Sequence, residues 1–131
     1  TVIVTRYIPL PQEIYCSKGL AKTNYPVVVL IDGLSASASE ILAYALKYQA
    51  SAKLIGTTSF GKGTIQTLYT LPDNSSIKFT IGKWFTPDDL NVDKTGIKPD
   101  QEVLFDRTGF DDKAIDNQLE AAKVSIRSLI Q

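Results

Sequence analysis

The 131-residue chain contains no histidine, and this absence excludes the commonest kinds of nucleophilic catalysis. Ser-His-Asp and Cys-His machinery needs an imidazole base, and His-ligated metal sites need the same side chain. Cys16 is the single cysteine, so a framework of intrachain disulfides is excluded as well. Any hydrolytic chemistry in this chain must therefore use another base.

Net charge and long apolar runs are missing too. Lys and Arg together number 14, as do Asp and Glu, so no basic field exists to attract nucleic acid or anionic lipid. Apolar runs such as residues 27–31 are far shorter than the ~20 residues that cross a bilayer. We therefore expect no nucleic-acid partner and no transmembrane segment. Methionine is absent and the chain starts at Thr1, so we expect a piece of a longer protein.

The composition is typical of one globular domain with a hydrophobic core, since 44% of the residues are apolar and 21% are charged. β-Branched stretches alternate with stretches of helical periodicity, which predicts an α/β fold. Strands are expected over residues 2–8, 26–32, 53–56, 64–70 and 76–81, the last two as a hairpin. Residues 9–25 are expected to be mostly a connection, and helices are expected over 35–49 and 111–130. Strand 26–32, helix 35–49 and strand 53–56 form a βαβ unit.

The pattern within these elements also predicts what they bury. Residues 26–32 (PVVVLID) show no polar alternation, as in a strand covered on both faces of a parallel sheet, and Gly33 then permits a tight turn. The first helix is expected to bury the stripe Ala38, Ile41, Leu42, Ala45 and Leu46. The second is expected to bury Ile115, Leu119, Ala122, Ile126 and Leu129.

The turn after the buried strand, GLSASASE over residues 33–40, is the first candidate site. A serine between a strand and a helix N-terminus lies where ligand crevices form, and the free backbone N–H groups there suit an oxyanion. The structural alternative is that Ser37 and Glu40 form a capping box, or that Ser35 is the N-cap. This segment alone leaves both interpretations open.

The second candidate site is the loop GTTSFGKGT over residues 56–64. It nearly matches a phosphate-binding P-loop, but Gly63 stands where the magnesium-binding hydroxyl belongs, and a strand follows instead of a helix. A solvated lysine in a glycine-rich turn is the simpler structural alternative. Against it, Phe60 and Ile65 flank Lys62 and are expected to bury its stem and amine.

Together the two sites suggest a serine nucleophile with a lysine base. A serine hydroxyl needs a base, and lysine can act as one only when it is neutral. Burial must therefore lower the pKa of such a lysine from its reference value of ~10.4. Gln66 lies four residues after Lys62 and is expected to orient the amine by hydrogen bonding without adding charge.

Four segments (PVVVLIDGLSASASEILAYAL, GTTSFGKGTIQTLYTL, FTIGKWFTPDD and GIKPDQEV) resemble, in this order, the C-terminal processing, or tail-specific, serine peptidases. The resemblance implies that Ser37 is the nucleophile and Lys62 the general base of a Ser-Lys dyad. It implies that Gln66 supports the lysine and that the backbone N–H of Ala38 is one oxyanion donor. It implies a structural role for Pro99 and Asp100, and no metal or cofactor.

The resemblance further implies a crotonase-like (ClpP/crotonase-type) peptidase core, with a mixed sheet and packed helices, of which residues 1–131 are the C-terminal part. The family's PDZ domain and its upstream glycine-rich segment, which supplies the second oxyanion N–H, have no counterpart here. Tyr48 stands where some members have an acidic residue.

Substrates, location and assembly follow from the same resemblance. It implies protein or peptide substrates with exposed C-terminal tails and a periplasmic, secreted or membrane-associated location outside the cytoplasm. The apolar faces that a partial core exposes make a homo-oligomer an expected state. A non-catalytic ligand- or peptide-binding module of the same fold is the alternative function, and a P-loop nucleotide binder is the third.

Overall fold

The structure is a computed structural model that describes residues 3–7, 11–16 and 25–130. Within these ranges the elements follow in the order β1 (Ile3–Tyr7), β2 (Glu13–Tyr15), β3 (Val28–Ile31), α1 (Ala38–Ala50), β4 (Lys53–Gly56), β5 (Thr64–Thr70), β6 (Ser76–Phe85), β7 (Gln101–Glu102), α2 (Arg107–Lys113) and α3 (Asn117–Ile130).

The described strands form two sheets of different kinds. β3 and β7 both pair with β4 in parallel, in the order β3-β4-β7. The other sheet has the order β2-β1-β6-β5, and its neighbours are antiparallel. Because α1 connects β3 to its parallel neighbour β4, the predicted βαβ unit and the α/β fold class are confirmed.

The core joins the two sheets and α1. It is a cluster of buried apolar side chains, namely Ile31, Ala43, Leu54, Trp84, Val92 and Ile97. Leu54 belongs to β4 and Trp84 to β6, so the cluster contains members of both sheets. Burying a large apolar side chain contributes roughly 1.5–3 kcal/mol, so this cluster stabilises the packing of the two sheets. The loop between β4 and β5 connects the two sheets, because β4 belongs to the parallel sheet and β5 to the antiparallel sheet.

Several strand predictions are confirmed and others need correction. β4 and β5 have the predicted bounds, and β1 agrees over the residues that the structure describes, since residues 2 and 8 lie outside them. β6 continues beyond residue 81 to Phe85 because it also pairs with β1. The predicted connection 9–25 contains β2, which pairs with β1; residues 9–10 and 17–24 lie outside the described part.

The predicted burial of β3 on both faces is wrong. Ile31 is only 4% exposed, but Leu30, which points to the opposite face, is 41% exposed. The strand is also shorter than residues 26–32. A continuous apolar run predicts a strand whichever faces are covered, and here one face is covered incompletely.

α1 begins at Ala38 and not at residue 35. The Asp32 carboxylate accepts hydrogen bonds from the backbone N–H groups of Leu34 and Ser35 and from the Ser35 hydroxyl. This Asx turn holds the chain out of helical geometry and engages Ser35, so Ser35 is not the N-cap. The predicted stripe is only partly correct: Ile41 packs against the core, but Leu42 is 61% exposed, and the fully buried residues of α1 are Glu40 and Ala43.

The single helix predicted over residues 111–130 is wrong, because α2 and α3 replace it. Ala114 ends α2 in the left-handed conformation with φ +55°. The Asp116 carboxylate then accepts hydrogen bonds from the backbone N–H groups of Gln118 and Leu119 at the start of α3. These two signals stop one helix and begin another within three residues.

The predicted stripe of the second helix is only partly correct. Ala122 is buried as predicted, but the other buried residue of α3 is Ser125, which is not part of the predicted stripe. Ile115, Leu119 and Leu129 are all exposed. Small side chains at the contact fit a helix packed closely on β3 and β4, and Ile126 of the predicted stripe is half-buried beside them.

Candidate active site

A cavity of about 370 Å³ lies where α1, the β4–β5 loop and the antiparallel sheet meet. Its walls are formed by Ile3, Ser37, Ile41, Lys62, Thr64, Ile65, Gln66, Lys78 and Trp84. The fold thus brings Ser37, Lys62 and Gln66, which the sequence predicts as site residues, to one cavity. Its walls combine four apolar side chains (Ile3, Ile41, Ile65 and Trp84) with five polar or charged ones, so placed polar groups lie beside apolar surface as in many ligand sites.

Ser37 is the N-cap of α1 and has an unusual backbone, with φ +56° and ψ −113°. A positive φ is uncommon for a residue other than glycine, and such strain concentrates at functional sites. Ser37 and Glu40 form the predicted capping box, in which the Ser37 backbone N–H donates to Oε2 of Glu40 at 2.8 Å. Capping and a functional role are therefore compatible at Ser37, since this residue also borders the cavity.

Ala38 is the first residue of α1. A backbone N–H at this position has no acceptor within the helix, and the helix dipole places positive partial charge there. The N–H predicted as an oxyanion donor therefore belongs to a helix end next to Ser37, where an anion is favoured.

Lys62 is half-buried, and its backbone is held on both sides. Its N–H donates to Oε2 of Glu40 at 2.9 Å, and its carbonyl accepts from Nε1 of Trp84 at 2.8 Å. The preceding Gly61 has φ +83°, and a Cβ there would lie 2.7 Å from the backbone nitrogen of Gly96. The loop is therefore packed against its neighbours, while the Lys62 side chain lines the cavity.

The apolar surroundings of Lys62 differ from those predicted. Ile65 lines the cavity as expected, but Phe60 is 61% exposed and lies outside the cavity wall. Trp84 takes the place expected for Phe60, because it is buried and borders the cavity from β6. The sequence pattern could not identify Trp84, since the contact depends on pairing between distant strands.

Gln66 lies on β5 at an irregularity of the sheet. The pairing of β5 with β6 shifts register between Ile65 and Gln66. A bulge of this kind changes the direction of a strand's side chains and is common next to active sites. Gln66 lines the same cavity as Lys62, and its role in orienting the amine stays a prediction.

Glu40 is the site residue that the sequence interpretation understated. It is fully buried and accepts four hydrogen bonds, although the sequence suggests only a capping role. Oε2 accepts from the backbone N–H groups of Ser37 and Lys62, and Oε1 accepts from the Ser59 hydroxyl and the Gly61 N–H. The available signal was an acidic residue three positions after the serine, but its contacts with residues 59–62 depend on tertiary structure.

Residues 3–7, 11–16 and 25–130 contain neither a metal-ligand cluster nor a helix that could span a membrane. No three His, Cys, Asp or Glu side chains in these ranges are grouped so that they could hold a metal ion. None of the helices in the same ranges combines the length and the apolar character needed to cross a bilayer.

Known proteins with similar sequences are peptidases. The family model described as peptidase family S41 matches residues 1–103. A carboxyl-terminal-processing protease from Picosynechococcus sp. is 43% identical over 98 residues, which cover 75% of this chain and 24% of that protein. The chain thus spans about a quarter of the length of this curated relative.

Solved structures show the same similarity. A photosystem II D1 C-terminal processing protease matches with a TM-score of 0.69 and 34% identity, over 78% of this chain and 27% of its own. A lipoprotein from Streptococcus agalactiae matches with a TM-score of 0.75 over 98% of this chain and 44% of its own. At 16% identity the second match shows the fold alone, and it extends to α2 and α3.

Proposed function

Because the chain belongs to peptidase family S41, we propose that it carries the catalytic residues of a serine endopeptidase of the carboxyl-terminal processing type. Residues 1–131 would then be the C-terminal part of the peptidase core domain. The observation that supports this function best is the meeting of Ser37 and Lys62 at one cavity from positions 25 residues apart. The strained backbone of Ser37 at a helix N-terminus adds to it.

In the proposed mechanism, Lys62 acts as a neutral amine. It accepts the proton of the Ser37 hydroxyl while Oγ attacks the carbonyl carbon of a peptide bond. The backbone N–H of Ala38 stabilises the oxyanion that forms. Lys62 then gives the proton to the departing amine, which leaves an acyl-enzyme on Ser37. A water molecule, deprotonated by the same lysine, hydrolyses the ester and restores the hydroxyl.

The remaining walls of the cavity indicate which kind of substrate side chain the site suits. Ile3, Ile41, Ile65 and Trp84 offer apolar surface next to the dyad, which suits an apolar side chain of the substrate. Gln66 would orient the lysine amine without exchanging the proton itself. The names of the related proteases suggest protein substrates that are cleaved near their carboxyl termini.

The proposal is tested by replacing Ser37 in the full-length protein and measuring peptide cleavage. Ser37→Ala should abolish turnover while the protein stays folded, since loss of a cap costs only ~0.5–2 kcal/mol. Ser39→Ala is the matched control, because Ser39 is an exposed serine of the same segment and is expected to leave kcat unchanged. Near-native cleavage by Ser37→Ala would exclude it as the nucleophile and favour a non-catalytic binding module.

A further inference from the structure

One carboxylate oxygen connects the two residues of the proposed dyad. Oε2 of Glu40 accepts the backbone N–H of Ser37 at 2.8 Å and that of Lys62 at 2.9 Å. We propose that Glu40 is a positioning residue that sets the separation and orientation of Ser37 and Lys62. This inference rests on the proposed function of the dyad.

The hydrogen bonds of Glu40 exceed what a helix cap needs. A capping box uses one bond from the carboxylate to the N-cap backbone. The three additional bonds come from Ser59, Gly61 and Lys62, all in the β4–β5 loop. The carboxylate therefore joins the start of α1 to the loop that carries the proposed base, and not merely two positions of one helix.

The second oxygen fixes the direction of the first. Oε1 accepts from the Ser59 hydroxyl at 2.6 Å and from the Gly61 N–H at 2.8 Å. The Ser59 hydroxyl in turn accepts the backbone N–H of Ile97 at 2.7 Å. With Oε1 held in this way, the carboxylate cannot rotate, and Oε2 stays directed at the two amides.

Because Glu40 is buried, the groups that donate hydrogen bonds to it are strongly constrained in position. Glu40 is fully buried, and an ionised carboxylate is only an acceptor, with about four lone-pair sites. All four are used here. A buried charged group is tolerated only when it is fully hydrogen-bonded, so neither the loop nor the helix end can move away without cost. The same bond from the Ser37 N–H keeps that residue at its strained φ of +56°.

The discriminating variant is Glu40→Gln, measured in the full-length protein. The amide keeps the size of the side chain but replaces one acceptor oxygen by a donor nitrogen, which then faces two N–H or O–H donors. We expect kcat per folded molecule to fall on the order of 10²-fold, because small displacements of reacting groups have effects of this size. KM should change little, since Glu40 is not a wall of the cavity.

Thr86→Val is the matched control for lost stability. Thr86 is also buried, and its hydroxyl donates to the Leu90 carbonyl and accepts the Leu90 N–H, away from the cavity. This variant should unfold at lower temperature than the wild type and keep its kcat. If Glu40→Gln likewise loses only stability, with kcat per folded molecule unchanged, Glu40 is structural and the proposal is overturned.

Hydrogen exchange in the wild-type protein tests the contact even if Glu40→Gln fails to fold. The Ser37 and Lys62 amides should exchange more slowly than the Ser75 amide, which donates to the exposed Asp73 carboxylate. Exchange as fast as that of Ser75 would overturn the proposal. Because exchange requires no activity, its outcome is independent of Ser37→Ala, whose retained cleavage would instead refute the proposed function.

Discussion

At the scale of single residues, substitutions of Lys62 can distinguish a role as a proton-accepting base from a role as a positive charge. Arginine keeps the positive charge but does not deprotonate in proteins, so Lys62→Arg should be as inactive as Lys62→Ala. Both variants should fold, because the contacts of residue 62 with Glu40 and Trp84 use its backbone. The measurement is kcat/KM for peptide cleavage by the full-length protein. Substantial activity of the arginine variant would mean that Lys62 contributes charge and not a base.

At the scale of elements, the end of β4 makes a close contact with β3. Gly56 pairs with Ile31 and has φ +128°, and a Cβ there would lie 2.0 Å from the Ile31 carbonyl oxygen. Gly56→Ala should therefore lower the free energy of unfolding by at least about 2 kcal/mol, from backbone strain and overlap together. Chemical denaturation measures this effect.

Gly33→Ala serves as the control for Gly56→Ala. A Cβ at Gly33 would find its nearest neighbour, the Thr58 carbonyl oxygen, at 3.9 Å, and the backbone there lies outside the positive-φ region. Its stability should change by no more than about 1 kcal/mol. Equal losses at the two glycines would contradict the predicted steric cause.

Asp100 joins α1 to β4 and gives the stability a dependence on pH. Burial raises the pKa of Asp100, but hydrogen bonds from the Leu54 backbone N–H and the Lys47 ammonium outweigh it, so the pKa lies below its ordinary value of 3.8. A carboxyl with a lowered pKa stabilises the fold above its ordinary pKa. That contribution disappears as the pH falls through the lowered pKa.

The pH dependence is tested with Asp100→Asn. The wild type should lose melting temperature more steeply than this variant when the pH is lowered below about 4, because only the wild type must protonate Asp100. Melting curves at several pH values provide the measurement. Parallel curves for the two proteins would show that Asp100 does not cause the dependence.

The same scale shows what sequence patterns can predict. β5 has its predicted bounds because a glycine-rich loop precedes it, a proline-containing turn follows it, and four of its seven residues are β-branched. The break at Ala114 was missed because the apolar stripe continues across it, and a left-handed alanine carries no local signal. The capping box at Ser37 was recognisable, whereas the bonds from Glu40 to residues 59–62 form only after the loop has folded back.

At the scale of the whole molecule, much apolar surface remains uncovered in the described residues. Leu34, Leu68, Phe60 and Tyr69 are all more than half exposed. Since large apolar patches favour association, residues 1–131 alone should form dimers or larger assemblies. Light scattering measures the state of this polypeptide, and a monodisperse monomer would contradict the expectation.

The isolated 131 residues should also cleave peptides poorly compared with the full-length protein. The Ala38 N–H is the proposed oxyanion donor of these residues, and we expect the second donor to come from a glycine-rich segment upstream of them. Loss of one such donor lowers kcat by roughly 10²–10³-fold. Peptidase assays of both proteins at equal concentration test this. A kcat/KM equal to that of the full-length protein would show that residues 1–131 contain a complete oxyanion hole.

The attachment of positions 37 and 62 through their backbones has a practical consequence. The Ser37 N–H, the Lys62 N–H and the Lys62 carbonyl make the bonds that hold these positions, and none of these bonds involves the reactive side-chain atoms. An inactive Lys62→Ala protein should therefore keep the backbone around the cavity in place and retain a polypeptide that it cannot cut. Cross-linking such a variant in its own cells, followed by mass spectrometry of the captured chains, would identify physiological substrates directly.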